Sequence, residues 1–116
     1  MAVRKSKLYS AFGEVIYTMA MADGAVHEQE VTVLKKIIKD HEWARGITWS
    51  FNYERKRKRD LNEVMKFATT VFQENGPSTE YDFFLDVLEK IALAHDGIVE
   101  EERQLIDHLK EEFLLY

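Results

Sequence analysis

The chain has no cysteine among its 116 residues, and this absence removes several kinds of chemistry. Disulfides, thiolate nucleophiles and zinc sites built on cysteine are excluded. The lack of cysteine suits a reducing compartment, and we predict a cytoplasmic protein. No apolar run approaches the roughly 20 residues that a membrane-spanning helix requires. Residues 1–7 are basic but lack the apolar stretch of a signal peptide.

Residues that interrupt helices are also scarce, with one proline and five glycines in the whole chain. Between these breakers, apolar residues recur at helical spacing, as in Leu8, Phe12, Val15 and Met19. We therefore predict an all-α fold, a compact bundle of about six or seven helices that forms one domain over residues 1–116. For 41–59, where aromatic residues recur near every second position, we expect a helical or irregular connection, because a lone strand would leave its backbone unpaired.

Polar residues at the borders of the periodic runs predict where helices begin and end. Ser6 is the expected cap of the first helix, and Asp60 opens an Asp-x-x-Glu capping box. Ser78 or Thr79 is expected to cap a later helix. The sequence Asn-Gly-Pro at 75–77 predicts a firm helix end, because glycine readily adopts the left-handed conformation and proline cannot continue a helix.

Two segments of the chain, 19–30 and 91–102, resemble each other. Each has an alanine-rich helix end, an Asp-Gly pair, an aliphatic residue and then acidic residues that open an amphipathic helix. The first copy places Glu30 seven residues after its aspartate, whereas the second places Glu102 six residues after its own. The likeness predicts an internal pseudo-twofold repeat, in which the two acidic turns can face each other.

Such a pairing would gather oxygen ligands of the kind that hard cations prefer. The two acidic turns are therefore a candidate site for a divalent ion. No lysine or arginine occurs within 19–30 or 91–102, so the sequence shows no local counter-charge. The alternative is that these acidic residues only cap helices, where the helix dipole favours negative charge.

Better-defined catalytic and metal motifs are missing. An EF-hand aligned on the first Asp-Gly turn would place Met19 and Met21 at its two leading ligand positions, and methionine is a poor calcium ligand. None of the four histidines has the preceding glutamate of a helical di-iron site, and no Gly-x-Ser-x-Gly turn is present. We predict that the protein is not an enzyme.

Five consecutive cations follow a segment rich in aromatic residues; they are Arg55, Lys56, Arg57, Lys58 and Arg59. They predict contact with an anionic membrane or an acidic protein partner. The alternatives are a solvated helix segment or an internal counter-charge for the acidic half. Residues 1–59 carry 12 basic and 7 acidic side chains, whereas residues 60–116 carry 4 and 14. Because of this acidic second half, nucleic acid is an unlikely partner.

The segment 20–31, Ala-Met-Ala-Asp-Gly-Ala-Val-His-Glu-Gln-Glu-Val, resembles the signature of the TerB-like family. That family includes tellurite-resistance TerB proteins and the TerB-like domain of DjlA-type membrane co-chaperones. The resemblance implies an all-α fold of about seven helices with internal pseudo-symmetry. It also implies a metal site whose ligands are Asp23, Glu30, Asp96 and Glu102. The second copy departs from the pattern, with His95 where alanine is usual and its glutamate one residue early, so that Glu100 or Glu101 could replace Glu102.

The resemblance implies a non-catalytic stress-response module, associated with tellurite resistance, that binds a divalent metal at the duplicated turns or interacts with a protein partner. No His-Pro-Asp motif is present, so this chain alone is not a DnaJ-type co-chaperone. The alternative function is a protein- or membrane-docking scaffold whose acidic turns are only helix caps. In that case residues 55–59 would hold the protein at the inner face of the membrane.

Overall fold

Six helices make up most of the computed structural model, which describes residues 4–22, 26–42, 44–94 and 100–114. They are α1 (Lys5–Ala20), α2 (Glu28–Ile38), α3 (Ala44–Arg57), α4 (Leu61–Asn75), α5 (Glu80–Leu93) and α6 (Glu100–Leu114). Within those ranges there is no strand, so the prediction of an all-α bundle is confirmed. The segment 41–59, for which helical and irregular structure were both expected, is largely the helix α3.

Helix α1 lies at the centre of the molecule. The sequence pattern predicts one apolar face, but every residue from 11 to 20 is buried, because α3, α4, α5 and α6 all pack against this helix. Residues of all six helices join α1 in one hydrophobic cluster. The central position of α1 also carries a charged side chain, that of Glu14, into the interior.

Helices α1 and α3 approach each other closely because glycine lies at their crossing. A Cβ atom added to Gly13 would lie 1.9 Å from Ser50 Oγ and 2.6 Å from the carbonyl oxygen of Ile47. On the facing helix, a Cβ at Gly46 would lie 2.9 Å from Tyr9 Cβ. Both contacts are far shorter than a normal van der Waals separation, so a side chain at either position would push the helices apart.

Aromatic rings connect the central helix to the second half of the chain. Phe12 of α1 stacks on Phe84 of α5 with ring centroids 4.1 Å apart, and Phe72 of α4 lies 5.7 Å from Phe12. Tyr81 of α5 stacks on Phe113 of α6, also at 4.1 Å. The Cα radius of gyration is 12.9 Å, close to the value of about 13 Å expected for a compact domain of this length.

The predicted helix borders are confirmed at three of four positions. Asp60 Oδ1 accepts hydrogen bonds from the amides of residues 62 and 63, and Ser78 Oγ accepts one from the amide of Glu80. Gly76, with φ of 75°, ends α4. The assignment of Ser6 as a cap is wrong: α1 begins at Lys5, so Ser6 lies inside the first turn.

The pseudo-twofold relationship between the segments 19–30 and 91–102 stays a prediction. Helix α2 packs mainly against α5, whereas α6 contacts both α5 and α1. In the described ranges, none of the helices has the length and apolar composition needed to cross a membrane.

Candidate functional site

The structure describes two of the four predicted metal ligands, because Asp23 and Asp96 lie outside the described residues. Glu30 and Glu102 occupy equivalent places, each being the third residue of its helix, α2 or α6, and each being buried. Glu30 Oε1 accepts a hydrogen bond from the backbone amide of His27 at 3.2 Å, the geometry of a helix cap. In the described part of the chain, no three His, Asp or Glu side chains are grouped closely enough to hold a metal ion.

The structure divides the five-residue basic run among different environments. Arg55 lies 3.8 Å from Glu28 at the start of α2, close to the first acidic turn. Lys56 and Arg57 are exposed, and Arg57 lies 5.9 Å from the ring centroid of Tyr53. The tertiary structure thus brings a cation to the border of an acidic segment that has no basic neighbour in sequence.

Arg59 turns inward and binds two buried glutamates from different helices. Its Nε donates a 3.0 Å hydrogen bond to Glu54 Oε1, and its Nη2 contacts Glu54 Oε2, so this pair is bidentate. The same Nη2 lies 3.2 Å from Glu14 Oε2. Glu54 is 1% exposed and Glu14 is 6% exposed. One guanidinium therefore serves two carboxylates in the interior, and we call these three residues the buried triad.

The buried triad carries one negative charge more than its arginine can neutralise. Burial raises the pKa of Glu14 to about 7, and repulsion from Glu54 adds to the effect, while Arg59 opposes it. A carboxyl group in this environment takes up a proton near neutral pH, because protonation removes the excess charge. Once Glu14 is protonated, Arg59 has only the charge of Glu54 to neutralise.

The burial of Glu54 in the triad can be inferred from the sequence, provided that α3 is known to be a helix. The buried residues of α3 are Ile47, Ser50, Phe51 and Glu54, which are spaced three and four apart. Once 44–57 is assigned as a helix, this period places Glu54 on the face that contacts the core. No comparable signal exists for Glu14, which is buried only because other helices surround α1 on all sides.

Exposed aromatic side chains border a surface cavity above the buried triad. Trp49 and Tyr53 stack with centroids 5.3 Å apart and planes within 13° of parallel. Trp49 is 63% exposed, and Phe67 of α4, which lines the same cavity of about 270 Å³, is 53% exposed. Large aromatic side chains exposed together are unusual on a surface that has no binding role.

A second cavity, of about 410 Å³, lies on another side of the basic run. Arg55, Lys58 and Arg59 all line it, together with Tyr17 and apolar residues that include Met21. Among the described residues that line this cavity there is no carboxylate. We refer to it as the basic cavity.

Comparisons of the chain with protein-family models, with curated proteins and with solved structures found no match. The resemblance to the TerB-like family therefore rests on the sequence motif and stays a prediction.

Proposed function

We propose that the protein is a non-catalytic docking module that contacts an anionic lipid surface through the exposed face of α3. The observation that carries the proposal is the separation of charge on this helix. Its one acidic residue, Glu54, is buried against Arg59, while its cations are exposed. The exposed charged side chains of α3 are therefore all basic, in a protein of net charge −5.

The residues of this surface follow one side of the helix. Arg45, Trp49, Tyr53 and Arg57 are exposed and follow one another four residues apart along α3, and exposed Lys56 lies three residues after Tyr53; together these five residues form what we call the basic face. A helix that lies flat on a bilayer needs this combination of cations and large amphipathic rings on one side.

The aromatic members of the basic face favour lipid over an acidic protein segment. Tryptophan and tyrosine concentrate at the membrane–water interface, where the ring is buried and its polar group stays hydrated. Trp49 and Tyr53 present stacked rings, and Phe67 extends the apolar area across to α4. An acidic peptide would be attracted by the cations alone and would leave these three rings without a role.

The cations supply the attraction that brings the helix to the surface. A lysine or arginine near an anionic bilayer contributes about 1 kcal/mol, and the effect declines within about 10 Å at moderate salt. Replacing Lys56 and Arg57 with methionine should therefore weaken binding by a factor of about 30. Because these side chains are exposed, the substitutions should leave the fold intact.

Co-sedimentation with vesicles tests this function. We expect binding at low salt to vesicles that contain phosphatidylserine, little binding to neutral phosphatidylcholine vesicles, and the loss just described in K56M/R57M. The double variant K35M/K36M is the matched control, because it removes two exposed cations from α2 and should bind as the unmodified protein does.

The fluorescence of Trp49, measured in a W43F background, distinguishes lipid from an acidic protein. Insertion of the indole into the interface shifts its emission to the blue, and brominated lipids then quench it. The proposal fails if wild type does not sediment with anionic vesicles at low salt. It also fails if K35M/K36M and K56M/R57M lose binding equally.

Cation binding at the duplicated turns is a second candidate function, and the equivalent burial of Glu30 and Glu102 supports it. A buried carboxylate at the start of a helix gains from a positive charge, whether that charge comes from the helix dipole or from an ion. The tellurite-associated stress role that the TerB-like resemblance implies depends on this candidate, and the effect of divalent ions on thermal stability tests it.

A further inference from the structure

We infer that the basic cavity binds a phosphate monoester group. This inference goes beyond lipid docking by the basic face and does not depend on it, because different residues line the two surfaces. The cavity suits a discrete small ligand. Its volume of about 410 Å³ lies within the range of about 300–1,000 Å³ that small-molecule sites occupy.

The cations of the cavity differ in how firmly they are held. Glu54 fixes Arg59 through a bidentate contact, so this guanidinium is already positioned. Arg55 is held only by a 3.8 Å contact with Glu28, whose side chain is 81% exposed. Such an exposed pair contributes little energy and can rearrange around a ligand. Among the described residues, no ion pair holds Lys58, which is exposed and lines the cavity.

The backbone at Lys58 ends α3. Its φ is 52°, and it is the one residue other than glycine with a positive φ in the described part of the chain. Helices commonly end with one left-handed residue, and the amide of Lys58 donates a 2.9 Å hydrogen bond to the carbonyl oxygen of Glu54, which closes the last turn. Here the conformation follows the end of α3, at the point where the chain passes from Arg57 to Arg59, the residue of the buried triad.

Phosphate is the anion that suits this set of residues. Guanidinium groups bind phosphate oxygens in pairs, and a lysine adds a compact positive charge. Because Arg59 is already paired with two glutamates, Arg55 and Lys58 supply most of the charge that attracts an anion, and a dianionic phosphate monoester would be held there more strongly than a single carboxylate. Tyr17, Met21 and Leu61 line the rest of the cavity and can contact the apolar part of the ligand.

Titration with phenyl phosphate tests the site with a soluble probe that carries both a phosphate monoester and a ring. Nuclear magnetic resonance should show saturable shifts at Met21, Val26 and Leu61. We expect R55M and K58M each to weaken binding at least tenfold. The matched control is K56M, which removes a cation of the same run that does not line the cavity, and it should bind phenyl phosphate normally.

Vesicles distinguish a lipid head group from a free phosphorylated compound. Tighter binding to phosphatidic acid than to phosphatidylserine at equal surface charge, lost in K58M, would identify the lipid source. Phenyl phosphate binding without that preference would identify a soluble ligand, and would support the cavity even if the basic face did not bind vesicles. The inference is overturned if phenyl phosphate causes no saturable shifts, or if K56M loses as much affinity as K58M.

Discussion

Glu14 of α1 and Glu54 of α3 bind the same nitrogen, Nη2, of Arg59, although they belong to different helices. The two carboxylates thus join the centre of the bundle to the end of the basic run. Because the buried triad has two acids and one base, its charge depends on pH, and its contribution to stability does too.

Replacement of Glu14 by glutamine should change how stability depends on pH. The pKa of Glu14 is about 7 in the folded protein against an ordinary value of 4.5, so between these pH values the folded protein holds a proton that the unfolded chain has lost. The free energy of unfolding of wild type should therefore decrease as pH rises from about 4.5 to 7, and E14Q should lack this decrease.

Urea denaturation at several pH values measures this effect. Between about pH 4.5 and 7, the stability of wild type relative to E14Q should fall by on the order of 2 kcal/mol. This is less than the free energy that corresponds to the full pKa shift, because solvent screens part of the charge. Exposed Glu111, changed to glutamine, is the control and should show no such trend. A difference between wild type and E14Q that stays constant with pH would contradict the raised pKa of Glu14.

Removal of Arg59 should be more damaging than removal of Lys58, the neighbouring cation of the run. Without Arg59, two carboxylates remain buried and uncompensated at about pH 8, and we expect R59M to lose about 3 kcal/mol of stability. The loss should be smaller near pH 5, where Glu14 is protonated. Lys58, which is exposed, provides the control K58M, expected within about 0.5 kcal/mol of wild type. Equal losses in R59M and K58M would show that the triad contributes nothing.

The crossing of α1 and α3 should not tolerate a methyl group. Gly13→Ala would improve intrinsic helix propensity by about 1 kcal/mol, but the added carbon would overlap Ser50 and the backbone of α3. We expect a net loss of about 2 kcal/mol in thermal or chemical denaturation. Thr48→Ala, on the exposed side of α3, tests propensity alone and should be neutral or stabilising. A G13A variant as stable as wild type would show that the helices separate at little cost.

Divalent ions should stabilise the protein if the duplicated turns bind them. At a hundredfold excess of ion over its dissociation constant, mass action adds about 2.7 kcal/mol to the free energy of unfolding. The double substitution of Asp23 and Asp96 by asparagine should abolish the gain and keep the turns, which asparagine tolerates. If the melting temperature of wild type is the same with and without Ca²⁺, Mg²⁺, Mn²⁺ and Zn²⁺, the acidic residues serve only as helix caps.

Local sequence was sufficient to predict the helices and most of their ends. The caps at Asp60 and Gly76 depend on side chains or dihedral angles within a few residues, so a reader of the sequence can infer them. Helix α3 was ambiguous because its aromatic residues also fit a two-residue period. The structure shows a helix there, whose buried residues Ile47, Ser50, Phe51 and Glu54 are spaced three and four apart.

The sequence by itself determined an all-helical chain with an acidic second half and a basic, aromatic segment. Only the tertiary structure decided that Arg59 points inward, that Glu14 is buried, and that Arg55 lies beside Glu28. The physical reason is that helical periodicity reports which side of a helix is apolar, whereas the partner of a charged side chain depends on which other helices come close. That approach is set by long-range contacts, such as the one at Gly13 between α1 and α3.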